Sequence, residues 1–163
     1  MSAAQGECLC GEIRYTVAQQ PSRVTLCHCA FCQKATGAAY MVQPAFAASD
    51  LTVTQGSPAI YSHRSAGSGK KIHINFCRTC GTKLFQTFER FEGAIGLYRG
   101  TLDDPNWIKI TPENAKHIFV VGAADETILP AQTPVYSGHA LQNDGTAIAP
   151  ITFDAPRAVA DMK

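Results

Sequence analysis

The sequence has few charges, almost no net charge and no long apolar run. Charged residues make up 17% of the 163, and 14 lysines and arginines against 13 aspartates and glutamates leave a net charge of +1. A surface this close to neutral lacks the broad positive potential that binds nucleic acids or anionic lipids, so we expect no nucleic-acid partner. No apolar run reaches the roughly 18 residues of a membrane span, and we expect no membrane partner.

The first residues also lack the basic start and the apolar stretch of a secretory signal. We therefore expect a cytoplasmic protein. Disulfides are rare in that reducing compartment. The seven cysteines are the strongest anomaly of the composition, and their odd number cannot pair completely. We expect these thiols to serve metal binding or redox chemistry.

Short stretches of alternating apolar residues predict strands with one buried face. These stretches are Ile13–Val17, Tyr40–Val42, Leu51–Val53, Ile72–Phe76 and Ile95–Leu97. Turn signals rich in Gly, Pro and Asp separate them, as in an antiparallel all-β domain. One short helical turn is predicted from Cys29 to Thr36, ended by Gly37. We predict a mainly β domain over residues 1–140, followed by a C-terminal edge segment or tail over residues 141–163.

The seven cysteines fall into three clusters with the spacing of zinc ligands. The clusters are Cys8–Cys10, Cys27–Cys32 and Cys77–Cys80. Zinc prefers four tetrahedral ligands, and two cysteines separated by two residues can bind one ion through a tight turn. Cys77 and Cys80, followed by Gly81, fit such a turn. The second pair could be Cys8 with Cys10 or two of the middle three, and spacing alone does not decide.

One of these assignments leaves an open site. If the first and third clusters share one closed site, the middle cluster keeps three thiols, those of Cys27, Cys29 and Cys32. Three protein ligands leave the fourth position open to water or a substrate thiolate, which is typical of catalytic zinc. A redox role is the alternative, because Cys29-x-x-Cys32 also resembles a dithiol motif. The βαβ pattern of a thioredoxin-like unit is not predicted around it.

The residues that flank the cysteines form three motifs that can be compared with known families. They are Gly6-Glu7-Cys8-Leu9-Cys10-Gly11, Cys27-His28-Cys29-x-x-Cys32-Gln33-Lys34 and Phe76-Cys77-Arg78-Thr79-Cys80-Gly81-Thr82-Lys83-Leu84. In the order and spacing of all seven cysteines, the chain resembles the glutathione-dependent formaldehyde-activating enzyme family, which also includes centromere protein V. The resemblance covers about residues 6–122. Two departures are Thr82, where members commonly have Ser, and the absence of a Trp shortly after Phe119.

The resemblance implies a β-tent zinc fold of antiparallel sheets with two zinc ions per chain. A structural zinc would be held by Cys8, Cys10, Cys77 and Cys80, and an active-site zinc by the expected catalytic residues Cys27, Cys29 and Cys32. The implied activity is that of a carbon–sulfur lyase, forming S-hydroxymethylglutathione from glutathione as co-substrate and formaldehyde. An open zinc position can deprotonate a thiol or polarise a carbonyl.

Alternatives remain for the function and for single residues. One alternative is a non-catalytic zinc-binding module for a protein partner, and another is a thiol redox enzyme that uses Cys29 and Cys32. If the protein is the expected lyase, its partners are a small thiol and a small electrophile. Cations that could bind glutathione carboxylates by charge are Arg64, Lys70, Lys71 and Arg99. We expect His28 to point outward between two better ligands. Ordinary surface or core positions are expected for the other histidines, His63, His73, His117 and His139.

Overall fold

The computed structural model describes residues 3–162, which are mainly β. Its strands are β1 (Ala4–Glu7), β2 (Arg14–Val17), β3 (Arg23–Cys27), β4 (Met41–Ala47), β5 (Leu51–Gln55), β6 (Ala59–Arg64), β7 (Lys71–Phe76), β8 (Lys83–Phe88), β9 (Ala94–Leu97), β10 (Ala115–Ile118), β11 (Ile128–Leu129) and β12 (Arg157–Ala158). The α-helix α1 is Ala30–Thr36. The mainly β prediction is confirmed, and every predicted alternating stretch overlaps a strand.

Four short 3-10 helices complete the secondary structure of the described range. They are Ala48–Asp50, Arg99–Thr101, Val120–Gly122 and Val159–Met162. Within residues 3–162, no helix combines the length and the apolar character that crossing a membrane requires.

The chain divides into two compact units, and neither is a continuous segment. The first unit contains the residues up to Ser22 together with Pro44–Lys109, and the second contains Arg23–Gln43 together with Ile110 onward. Residues 141–162 thus belong to the same unit as residues 110–140. The predicted boundary at residue 140 stays a prediction.

The first unit contains two antiparallel sheets. In one, β2 pairs with β1 on one side and with β5 on the other. In the other, β9, β8, β7 and β6 follow in that order, and residues 45–47 of β4 pair with β9. The largest fully buried side chains here include Ile13, Tyr15, Leu84 and Leu97. In the stretch Ile13–Val17, the alternating apolar residues Ile13, Tyr15 and Val17 are all buried, so one apolar face enters the core as the alternation predicted.

Gly6 lies where β1 passes over the ring of Tyr15. A Cβ atom at this position would overlap the ring and hydroxyl of Tyr15 and lie 2.5 Å from the carbonyl oxygen of Thr101. We expect Gly6→Ala to lower the free energy of unfolding by about 1–3 kcal/mol, because the packed neighbours must shift. Chemical denaturation measures the effect.

Gly100→Ala is the matched control for this substitution. An added Cβ at Gly100 meets nothing within 4 Å. We expect this variant to have at least the stability of the unchanged protein, since alanine restricts the unfolded chain more than glycine does. Equal stabilities of the two variants would contradict the steric explanation.

The second unit is built around one parallel strand pair. Strand β10 pairs parallel with β3, so that His117 lies opposite Leu26 and Ile118 opposite Cys27. Strands β11 and β12 pair antiparallel. Ile151 in the C-terminal segment bridges to Val135. One apolar core cluster of this unit consists of Val120, Ala123, Leu129, Val135 and Val159.

Helix α1 follows β3 directly and has defined ends. Cys29 is the N-cap, in extended conformation, and its sulfur accepts a hydrogen bond from the Cys32 N–H at 3.4 Å. Gly37 ends the helix in the left-handed conformation, with φ of 68°, and its N–H donates to the Gln33 carbonyl oxygen at 2.7 Å. Glycine adopts this conformation without steric cost, which is why the predicted end at Gly37 is observed.

Candidate functional site

Four cysteines of the first unit meet in one group, here called the four-cysteine cluster. Its members are Cys8, Cys10, Cys77 and Cys80, whose sulfur atoms all lie within 4.8 Å of one another. Cys8 and Cys77 are buried, and Cys10 is exposed. Of the two pairs that the spacing left open, the structure places Cys8 and Cys10 beside Cys77 and Cys80.

The distances between these sulfurs fit a tetrahedral metal ion. The sulfur of Cys10 lies 3.5 Å from that of Cys8 and 3.7 Å from that of Cys77. Four thiolates at about 2.3 Å from a tetrahedral zinc ion lie about 3.8 Å apart. All seven cysteines are free, so the short distances are not those of disulfides. The donor set and its spacing therefore suit zinc.

Two tight turns present these sulfurs. Gly11 N–H donates to the Cys8 carbonyl oxygen at 2.9 Å, and Gly81 N–H donates to the Cys77 carbonyl oxygen at the same distance. Both glycines have positive φ, 74° for Gly11 and 75° for Gly81, which other residues adopt at a steric cost. The Ile13 N–H also donates to the sulfur of Cys8 at 3.3 Å, which stabilises a thiolate there.

Thr82 ties the two turns together. Its hydroxyl oxygen accepts a hydrogen bond from the Leu9 N–H at 3.1 Å and lies 3.2 Å from the sulfur of Cys80. Hydrogen bonds from the side chain and the backbone of Thr82 lower the pKa of the Cys80 thiol to about 5. The hydroxyl of Thr82 therefore supports one thiolate of the cluster.

Removing this hydroxyl should weaken the four-cysteine cluster. We expect Thr82→Val to lower its zinc affinity by about tenfold, because partners that orient metal ligands contribute on the order of 10–100-fold. Titration against a competing chelator measures the affinity. Thr82→Ser keeps the hydroxyl and is the control. Unchanged affinity in the valine variant would contradict a role for the hydroxyl.

The remaining cysteines form the three-cysteine cluster, within the second unit. It consists of Cys27, Cys29 and Cys32, whose sulfurs lie within 4.8 Å of one another. Cys27 ends β3, Cys29 caps α1, and Cys32 lies in the first turn of that helix. Cys27 and Cys32 are buried, whereas Cys29 keeps part of its surface exposed. The roles of both clusters as metal ligands stay predictions.

Electrostatics within the three-cysteine cluster favour one thiolate at Cys29. Hydrogen bonds from the thiols of Cys27 and Cys32 hold the pKa of Cys29 well below its ordinary value, and backbone N–H groups of the first helical turn act in the same direction. The pKa of Cys32 is raised, because two neighbouring sulfurs already compete for negative charge. Three thiols this close cannot all ionise without a cation, which is the environment a metal ion supplies.

His28 is buried, so the prediction that it points outward is wrong. Its side chain is 0% exposed, and its Nε2 lies 3.0 Å from Nδ1 of His117, which is 3% exposed. The ring of His28 also lies against Tyr40, with centroids 5.0 Å apart. The reason is the parallel pairing of β3 with β10, which the His28 N–H continues by donating to the Ile118 carbonyl oxygen at 3.0 Å.

Burial lowers the pKa of both histidines. The neighbouring His28 adds to this effect at His117, whose pKa falls to about 4. Burial therefore favours the neutral form of both rings. His117 is a core residue, as expected, but sequence reasoning missed its pairing with His28. No motif signals that pairing, because the two histidines are 89 positions apart.

The peptide between Cys27 and Cys29 is held from a second side. The Gln33 side-chain amide donates to the carbonyl oxygens of His28 at 2.7 Å and Gly122 at 2.8 Å. A Cβ atom at Gly122 would lie 2.9 Å from the His28 carbonyl oxygen, so the two backbones approach as closely as glycine permits.

Three of the four cations proposed for glutathione carboxylates have local partners in the first unit. Arg64 donates to the Gly69 carbonyl oxygen at 2.7 Å, and Arg99 donates to that of Pro105 at 2.7 Å. Lys71 lies 3.9 Å from a carboxylate oxygen of Glu89. These contacts do not identify a binding site for glutathione.

A comparison with protein families identifies the chain. The model of the family described as glutathione-dependent formaldehyde-activating enzyme matches residues 3–121, a range that includes all seven cysteines. The chain belongs to this family. Membership in the glutathione-dependent formaldehyde-activating enzyme family supports a function that uses glutathione and formaldehyde, as the cysteine motifs indicated.

A solved structure supports the fold of this family member. A protein of Rhodobacter sphaeroides, determined as a structural genomics target, is 22% identical and has a TM-score of 0.51. The similarity covers 63% of this chain and 91% of that chain. At this identity the likeness concerns the fold alone. No curated protein matches the chain.

Proposed function

We propose that this protein is a zinc-dependent carbon–sulfur lyase that forms S-hydroxymethylglutathione from glutathione and formaldehyde. The observation that carries the proposal is the three-cysteine cluster, a group of three thiols at the start of α1 that has no fourth cysteine among residues 3–162. Family membership supplies the substrate class. Four protein ligands complete a tetrahedral zinc site, whereas three leave a position for a substrate atom.

The proposed reaction is an addition without any change of oxidation state. The glutathione sulfur bonds to the carbon of formaldehyde, the carbonyl π bond breaks, and the thiol proton ends on the oxygen. The chain contributes Cys27, Cys29 and Cys32 as ligands, of which Cys29 is predisposed to ionise. Zinc held there would supply Lewis-acid chemistry, lowering the pKa of a bound thiol or polarising a carbonyl.

The three cysteines of the cluster differ in their exposure to water. Cys27 and Cys32 are buried, so two of the three sulfurs are shielded from water. Cys29 is partly exposed and gives a substrate thiol its approach. The four-cysteine cluster would bind a second zinc ion with a structural role, since it offers a closed donor set.

The seven cysteines fall into two groups whose sulfurs suit metal ions, a use of thiols typical of a reducing compartment. We therefore place the protein in the cytoplasm, where disulfides are rare and glutathione is abundant in its thiol form. The proposed partners are small molecules, a thiol and an electrophile.

Native mass spectrometry of freshly purified protein tests this proposal. We expect two zinc ions per chain and a glutathione adduct on addition of glutathione, with the adduct lost in Cys29→Ser. Carbon-13 exchange spectroscopy of formaldehyde and glutathione, with a protein-free control, then measures acceleration of the addition. One zinc ion, no adduct and no acceleration would overturn the proposal and favour a structural zinc module or a redox cluster.

A further inference from the structure

The His28–His117 pair has hydrogen-bonding groups that nothing else in the described chain satisfies. The two rings share one bond, between Nε2 of His28 and Nδ1 of His117. Among residues 3–162, the opposite nitrogens, Nδ1 of His28 and Nε2 of His117, have no partner. Each neutral ring has one donor and one acceptor, so this holds for either tautomer. The shared bond is thus the one side-chain hydrogen bond that residues 3–162 provide to these two rings.

The hydrogen bond between the two histidines restrains the loop that carries the three-cysteine cluster. His28 lies between Cys27 and Cys29, and its N–H and carbonyl oxygen are bonded to Ile118 and Gln33. A rotation of the loop would separate the rings and leave further buried nitrogens without partners, which is unfavourable. The ring of Tyr40 lies against His28 and restricts it further.

We propose that His28 and His117 are positioning residues that set the metal affinity of the three-cysteine cluster by fixing the loop between its first two ligands. The inference rests on the proposed function, since it takes the cluster to bind zinc. Residues that hydrogen-bond to metal ligands, or to the backbone that carries them, hold the ligands in the metal-binding geometry before the ion binds. Binding then requires a smaller loss of conformational entropy. His117 contributes from β10, a different segment of the chain from the one with the three cysteines.

A pair of substitutions at His117 tests the inference. His117→Leu removes the bond, whereas the side-chain amide of His117→Asn offers a donor and an acceptor near the position of Nδ1. Zinc alone is titrated against a chelator, and cobalt substitution reports the ligand geometry of each cluster. We expect His117→Leu to lower the affinity of the three-cysteine cluster by about 10–100-fold, with the four-cysteine cluster unchanged. His117→Asn should restore most of the affinity.

Leu129→Ala controls for a general loss of stability in the second unit. Leu129 is 0% exposed and belongs to the core cluster of that unit. If this variant loses zinc as His117→Leu does, at a similar loss of melting temperature, the specific role is overturned. Equal zinc affinity of His117→Leu and the unchanged protein overturns the inference alone. Absence of zinc from the three-cysteine cluster of the unchanged protein overturns the proposed function together with it.

Discussion

We expect Cys77→Ser to abolish the cooperative thermal unfolding transition of the protein. Cys77 is fully buried, and its sulfur lies 3.7 Å from that of Cys10, 67 positions away in the chain. Structural zinc contributes about 10–16 kcal/mol of apparent binding free energy in small domains that fold around it. That is as large as the whole stability of a typical domain, about 5–15 kcal/mol. Calorimetry with parallel metal analysis measures the effect.

Cys10→Ser distinguishes the effect of losing a metal ligand from the effect of placing a serine hydroxyl in the core. A serine at buried position 77 also places a hydroxyl in the core, whereas Cys10 is exposed. If lost zinc is the cause, both serine variants lose the transition and one zinc ion per chain. A sharp melting transition at an unchanged temperature in Cys77→Ser would show that the four-cysteine cluster does not stabilise the fold.

We expect Cys29→Ser to abolish the proposed addition of glutathione to formaldehyde and to leave the fold intact. We expect the activity to fall by at least about 100-fold, since removing a metal ligand lowers activity more than removing a residue that only hydrogen-bonds to a ligand. The fold survives because Cys29 is the N-cap of α1, accepting the Cys32 N–H, and serine is among the preferred residues at this position. Exchange spectroscopy measures the activity, and circular dichroism measures the melting temperature.

Cys29→Ala is the matched control. It removes both the metal ligand and the capping group, so it should be as inactive as Cys29→Ser and less stable by about 1 kcal/mol. The prediction is wrong if Cys29→Ser retains activity. It is also wrong if Cys29→Ser and Cys77→Ser lower the melting temperature equally, because both clusters would then be structural.

The second unit shows where prediction from sequence stops. The helical turn after Cys29 and its end at Gly37 were predictable, because a capping side chain and a left-handed glycine act over only a few residues. The outward His28 was wrong, because its burial depends on β10. The parallel pairing of β3 with a strand about 90 positions later leaves no pattern in the sequence around His28. The sequence around His117 does not show that its side chain pairs with another histidine.

The sequence by itself determined the mainly β class, the alternating strands, the turns at the cysteines and the family, since each of these depends on neighbouring residues or on a specific spacing. Spacing alone left the partners of Cys77 and Cys80 open, although the family resemblance implied Cys8 and Cys10, and the tertiary structure decided the question by bringing these four sulfurs together. It also decided that His117 lies against His28. Both outcomes depend on how strands from distant segments pair and in which register. The packing and hydrogen bonding of the whole folded chain select that register, and no short stretch of sequence encodes it.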